Sequence, residues 1–203
     1  MNTTTNGTPA DPPELWLIRH GETEWSRSGQ HTGRTDIPLT ERGREQARAL
    51  AAVLAAVRFD RVLSSPMSRA IETCRLAGLG EHAQQEPDLR EWDYGIYEGR
   101  KTKEIRDDVP DWSVWTSPIP EGESVGQIQA RALSLIERLL GSPGRIALFS
   151  HAHFLRVFAG CWIGESAALG AHFYLDTATI SVLGFERENR VVRQWNVRHP
   201  DVK

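Results

Sequence analysis

Blocks of apolar residues with different periods divide this chain into elements. Leu15-Trp16-Leu17-Ile18 is an unbroken apolar run, the mark of a short buried strand, and Gly21 closes it. From the capping residue Thr40 to about Arg58, Ala47, Leu50, Ala51, Leu54 and Val57 recur at helical spacing. Arg61–Ser64 predicts a second strand. Ser65-Pro66 reads as an N-cap with proline at the first helical position, opening a helix that ends near Leu76. The 3.6-residue period returns from Ser124 to Leu140, and Arg145–Phe149 predicts a third strand that ends in Ser150-His151. A helix over about Ala152–Trp162 and strands near Ala178–Phe185 and Val191–Asn196 complete the pattern. Between 84 and 122 no period holds. Trp92, Tyr94, Tyr97, Trp112 and Trp115 stand among prolines there, with one short helical piece near Thr102–Arg106. That stretch is expected to be an irregular lid insertion rather than part of the core.

Strands and helices taken in turn predict an α/β fold, a three-layer α/β/α sandwich with a mostly parallel central sheet. Residues 14–203 are expected to form a single domain, and the polar stretch 1–13 a disordered arm. Parallel strands end at one edge of a sheet, where ligands bind in open α/β folds. Arg19-His20, Ser64-Ser65 with Arg69 one turn on, and Ser150-His151 are therefore expected to converge on one pocket.

Composition narrows the partners. The net charge of −3 over 203 residues makes a nucleic-acid surface unexpected, so any anion site must be a local positive pocket. Cys74 and Cys161 lie in apolar helical segments and read as buried thiols rather than a disulfide. No apolar run approaches the ~18–20 residues of a membrane span. The first residues lack a basic and an apolar region, so no secretory signal is expected. The expected location is the cytoplasm, with no membrane partner, and the glycosylation patterns at Asn2 and Asn6 are expected to stay unused.

A histidine beside an arginine at a strand end suits an anionic partner. The imidazole can act as nucleophile or base, and the guanidinium fork fits phosphate. Each of His20, Arg69 and His151 taken alone has an ordinary structural explanation, a satisfied core histidine or an exposed helix arginine. Glu22, Thr23 and Ser26 directly behind Arg19-His20 make packing a poor account of that loop. Arg69 in the first turn of a helix adds to the field of the helix N-terminus. His153, two residues beyond His151, is expected to face away. A His-x-His pair also occurs at metal sites, but Arg19 and Arg69 repel a divalent cation and no carboxylates at ligand spacing accompany it, so no metal is expected. Phosphate-loop, dinucleotide and serine-elbow motifs are missing from the sequence. Glu91, among aromatic residues that would raise its pKa, is a candidate general acid, and Asp93 is its rival.

The segments RHGETEW (19–25), TGRTDIPLTERGREQA (32–47), SSPMSRAIET (64–73), LREWDYGIYEG (89–99) and FSHAHFLR (149–156) together resemble the histidine phosphatase superfamily, the phosphoglycerate mutase-like proteins, in the family's order. The wording is most similar to the phosphatase branch, including sedoheptulose-bisphosphatase-like proteins and broad-specificity acid phosphatases. The resemblance implies that His20 attacks phosphorus and becomes a phosphohistidine. It implies that Arg19, Arg69 and His151 hold the phosphoryl oxygens, and that Glu91 protonates the leaving alcohol and then helps activate water. Glu22, Thr23, Ser26, Thr32, Gly33, Tyr94 and Ala152 are the further residues expected to meet a small phosphorylated substrate, and no cofactor is implied. Ser26 stands where the family commonly has asparagine, and Ala152 where many members have glycine. Mutases of this family carry a longer insertion between the acid and the second histidine. Glu91 and His151 are 60 positions apart (151 − 91), so hydrolysis is expected over phosphoryl return. A mutase and a non-catalytic phosphate-binding module are the alternatives, and the latter would have lost the nucleophile, arginines or acid. Arg34, Arg100, Lys101 and Lys103 are candidates for gripping a second acidic group, and a homodimer is possible.

Overall fold

The computed structural model describes residues 12–198. The arm expected over 1–13 therefore lies, apart from Pro12 and Pro13, outside the described residues. The elements in chain order are β1 (Glu14–Arg19), α1 (Glu24–Ser28), α2 (Glu41–Ala49), α3 (Ala51–Ala55), β2 (Arg61–Ser64), α4 (Ser68–Leu76), β3 (Ala83–Gln85), α5 (Thr102–Asp108), α6 (Val125–Leu140), β4 (Arg145–Ser150), α7 (Ala152–Gly164), β5 (Ile180–Glu186) and β6 (Asn189–Val197). The six strands form one sheet in the order β3-β2-β4-β1-β5-β6. Pairing is parallel from β3 through β1 and antiparallel for β5 and β6.

Alternation along the strands builds the two outer layers. Leu15, Leu17 and Leu148 face one way and pack with α6 and α7. Ile18, Ala147 and Phe149 face the other and pack with Leu50, Leu54 and Cys74 of the α2–α4 side. The α/β/α sandwich is thus present. Among the described residues no helix is long and apolar enough to cross a membrane.

The sequence reading has no counterpart for α1 or β3, and three further details differ from it. The helix expected over 40–58 is split at Leu50, whose N–H reaches back three residues to Ala47 in a tightened turn. The helix after β2 starts at Ser68 rather than Pro66, because the Asp36 carboxylate takes the Ser68 N–H at 3.0 Å and its hydroxyl at 2.9 Å. The stretch 84–122 is irregular in backbone, yet it is core. Trp92, Tyr94, Tyr97, Ile105 and Trp112 are buried in the same cluster as α6 and α7. Large aromatic rings gain more by burial than their irregular backbone costs, and the Trp92 indole N–H is satisfied by the Glu123 carbonyl at 2.7 Å.

Candidate active site

Strand register assembles the site. β4 lies between β1 and β2, and Arg19 is paired with Ser150 while Ser64 is paired with Phe149. His20, Ser65 and His151 therefore leave the same edge together. Their imidazole centroids, at His20 and His151, are 5.1 Å apart. The loop after His20 is held by backbone-to-backbone contact. A Cβ on Gly21 would collide with the Gly43 carbonyl, so α2 can press directly on that loop only where both residues are glycine.

The hydrogen bonds set the proton positions. The His20 Nδ1 faces the Gly21 carbonyl at 2.7 Å. A carbonyl only accepts, so Nδ1 carries the proton and Nε2 keeps its lone pair. His151 has the other tautomer. Arg69 Nε–H donates to its Nδ1 at 3.1 Å, so Nε2 carries the proton and donates to Ser65 Oγ at 2.8 Å. Arg69 is fully buried; its Nη1 donates to the Thr35 carbonyl and lies 3.8 Å from the Asp36 carboxylate, and its Nη2 donates to the carbonyls of Thr32 and Gly33. That loop is itself folded around the Glu98 carboxylate, which accepts from the backbone of Gly33, Arg34 and Thr35 and from the Thr35 hydroxyl. Arg69 thus holds His151 and a buried positive charge behind His20, while Arg19 is the guanidinium in front. Arg19 Nη1 donates to the Leu175 carbonyl at 2.6 Å, and its buried Nε has no protein partner.

Glu91 is only 8% exposed. Its Oε1 accepts from the N–H groups of Trp92 (2.9 Å) and Phe154 (2.7 Å), and Oε2 from that of His153 (3.0 Å). The carboxyl therefore caps α7, whose own N-cap residue His151 offers no side-chain bond. With both lone pairs of Oε1 taken, a proton on this carboxyl belongs on Oε2. Asp93, the rival, is tied to Arg34 at 2.6 Å and to the Gly95 N–H, outside the cavity that His20 lines.

That cavity measures about 520 Å³, the size of a small-metabolite site, and is lined by Arg19, His20, Ser26, Thr32, Glu91, Tyr94 and Ala152 among others. Glu22, Thr23 and Gly33, expected to meet substrate, are not in its lining. The Glu22 carboxylate turns back to the Thr40 hydroxyl (2.9 Å) and Arg42. Thr23 is buried as the cap of α1. Gly33 spends its N–H on Glu98 and its carbonyl on Arg69. The Ser26 hydroxyl, though at the cavity, donates its one proton to the Thr23 carbonyl. His153 corrects another expectation: it borders the cavity, with Nδ1 2.6 Å from the Tyr94 hydroxyl. Ala152, His153 and Arg156 at the N-terminal end of α7 line the opening, while Phe154 and Leu155 between them turn into the core. His31, Arg156 and Tyr174 also line the cavity and were not singled out from sequence. Arg156 carries one usable signal, its spacing of four from Ala152, a residue expected to meet substrate, on one helix face.

Burial, and then the nearby guanidiniums of Arg69 and Arg19, hold His20 and His151 well below the usual histidine range. His153 is lowered likewise, and burial brings His31 down to about 4. Burial pushes the Glu91 carboxyl up, against the three N–H groups that favour its charged form. The four histidines bind protons in the unfolded chain that the fold refuses, so their stability is present above about 6.5 and lost as pH falls toward their folded values. Glu91 has the opposite sign but is one group. The urea midpoint is expected to hold near pH 7 and drop from about pH 6.5 to 4.5, with His31 alone contributing ~3 kcal/mol across its full window. A midpoint that rises or stays flat over that range would contradict the buried neutral histidines.

A model of the histidine phosphatase superfamily (branch 1) matches residues 15–198. The chain belongs to the histidine phosphatase superfamily. It is 43% identical over 176 residues to an acid phosphatase of Mycobacterium tuberculosis, covering 85% of this chain and 86% of that protein. It is 36% identical over 188 residues to sedoheptulose 1,7-bisphosphatase of Saccharomyces cerevisiae, covering 77% of this chain and 69% of that protein. A solved structure of an open reading frame from Mycobacterium tuberculosis superposes with a TM-score of 0.84 at 39% identity, covering 91% of this chain and 97% of that one. Among the described residues of this histidine phosphatase, no group of three or more His, Cys, Asp or Glu is arranged to hold a metal ion. What the geometry can do is in-line attack by an uncharged imidazole on an anion held by guanidinium, with a protonatable carboxyl at the same cavity.

Proposed function

We propose that this phosphoric monoester hydrolase acts on small phosphorylated metabolites, phosphosugars or phosphoacids, through a phosphohistidine at His20. The observation that carries the reading is His20 itself: its Nδ1 proton is committed to Gly21, so the Nε2 lone pair is the free one, in a cavity shared with Arg19 and Glu91. In the first step Nε2 bonds to phosphorus and the ester P–O bond breaks. The leaving oxygen takes the proton from Glu91. In the second, water attacks phosphorus, gives a proton to the Glu91 carboxylate, and the P–N bond breaks to restore His20. Arg19 meets the phosphoryl oxygens directly, while Arg69 acts from behind, fixing His151 and supplying field. Phosphoryl transfer needs mainly position and charge of this kind. In this reading side chains carry the charge without a metal, and residues 14–203 act as one domain.

The test is a panel of phosphorylated metabolites scored for both released phosphate and isomerised product, with and without EDTA. Phosphate release without isomer, undiminished by EDTA, is the expected result. Isomer without phosphate would make the chain a mutase, and loss of turnover in EDTA would overturn the guanidinium argument.

A further inference from the structure

The cavity around His20 carries two guanidiniums, Arg19 and Arg156, and neither is in an ion pair among the described residues. The proposed reaction uses only the first. Arg156 is half-buried on α7 and held from behind: Nε donates to the Gly170 carbonyl at 3.1 Å, Nη2 to that of Ala171 at 3.4 Å, and its carbon lies 4.6 Å from the centre of the Trp115 ring. Nη1 has no protein partner among the described residues. Carbonyls and an aromatic face orient a cation without neutralising it. Glu91 is the one acidic residue in the lining, and it already receives three backbone N–H groups. The residues expected from sequence to grip a second acidic group do not reach this cavity. Arg34 pairs with Asp93, Arg100 with Asp108, and Lys101 and Lys103 are exposed elsewhere.

We infer that Arg156 binds a second anionic group of the substrate, a carboxylate or a phosphate, and so selects phosphoacids or bisphosphates over monophosphates with neutral tails. The inference rests on the phosphatase reading for its substrate. It predicts a discrimination worth roughly 10- to 100-fold, the usual scale of a charge-assisted hydrogen bond.

Three competitive inhibitors of p-nitrophenyl phosphate hydrolysis test it in the wild-type chain: propylphosphonate, 3-phosphonopropionate and propane-1,3-bisphosphonate. The two diacids are expected to bind about 10-fold or more tighter than the monoacid, and the tighter of them identifies carboxylate or phosphate as the preferred second group. The advantage should collapse in Arg156→Met and survive in part in Arg156→Lys, which keeps the charge. Equal inhibition by all three in the wild type, or an undiminished advantage in Arg156→Met, overturns the assignment. Should the methionine variant not fold, the wild-type and lysine measurements decide. Should the wild type not hydrolyse p-nitrophenyl phosphate, the phosphatase reading fails, and calorimetric affinities for the same three compounds still decide whether Arg156 binds a second anion.

Discussion

His20→Gln is expected to abolish turnover of every phosphate ester, by roughly 10⁴-fold or more, the scale on which loss of a nucleophile acts. The variant should also lose acid-labile, base-stable radiolabel after rapid quenching with labelled substrate, because no P–N bond can form. Fold loss is not the expected cause. Glutamine keeps a polar group near the Gly21 carbonyl, the bond that now orients the ring, and far-ultraviolet dichroism should be unchanged. Should His20→Gln retain more than a few per cent of wild-type turnover, phosphorus would be attacked by something else, and direct attack by water would become the mechanism. His151 is not a ready substitute. Its Nδ1 accepts from Arg69 and its Nε2–H is engaged by Ser65, so it offers no free lone pair.

Glu91→Gln has the second-largest expected effect, and its size should depend on the leaving group. Alkyl phosphates should slow by roughly 10²–10⁴-fold, the range of general acid catalysis, while p-nitrophenyl phosphate, whose phenolate departs unassisted, should slow far less. Burial raises the Glu91 carboxyl and lowers the His20 imidazole. A neutral imidazole and a protonated carboxyl therefore coexist further toward neutral pH than their ordinary values allow. Activity on alkyl phosphates falls as pH rises through the titration of Glu91, and this alkaline limb should vanish in Glu91→Gln. Equal slowing of both substrate types would move the acid elsewhere. The glutamine amide also meets the His153 N–H as donor against donor, so a stability loss of about 1–3 kcal/mol should accompany the kinetic effect, and rates belong well below the melting range.

The choice between Glu91 and Asp93 illustrates where sequence stops. Both are carboxylates beside aromatic residues, two positions apart, and no local pattern separates them. The separation comes from α7, more than fifty positions away, whose first N–H groups take Glu91, and from Arg34, which takes Asp93. Glu22 and Thr23 stand outside the cavity lining for a related reason: Glu22 is taken by Thr40 and Arg42 at the start of α2, and Thr23 by the first turn of α1, partners that only the folded loop brings to them.

What the linear order of residues determined was the layer structure and the meeting of three strand ends. Period-2 and period-3.6 apolar patterns assign elements, and right-handed parallel connection then forces Arg19-His20, Ser64-Ser65 and Ser150-His151 to a common edge. Tertiary structure alone decided the protons and the charges: which nitrogen of His20 and of His151 carries the proton, that Arg19 lines the cavity while Arg69 is buried against His151, that the aromatic stretch 84–122 is core, and that Arg156 reaches the cavity without an ion pair among the described residues. The reason is physical. Tautomer, desolvation and ion pairing are set by which atoms lie within about 3 Å, and those neighbours come from positions far apart in the chain.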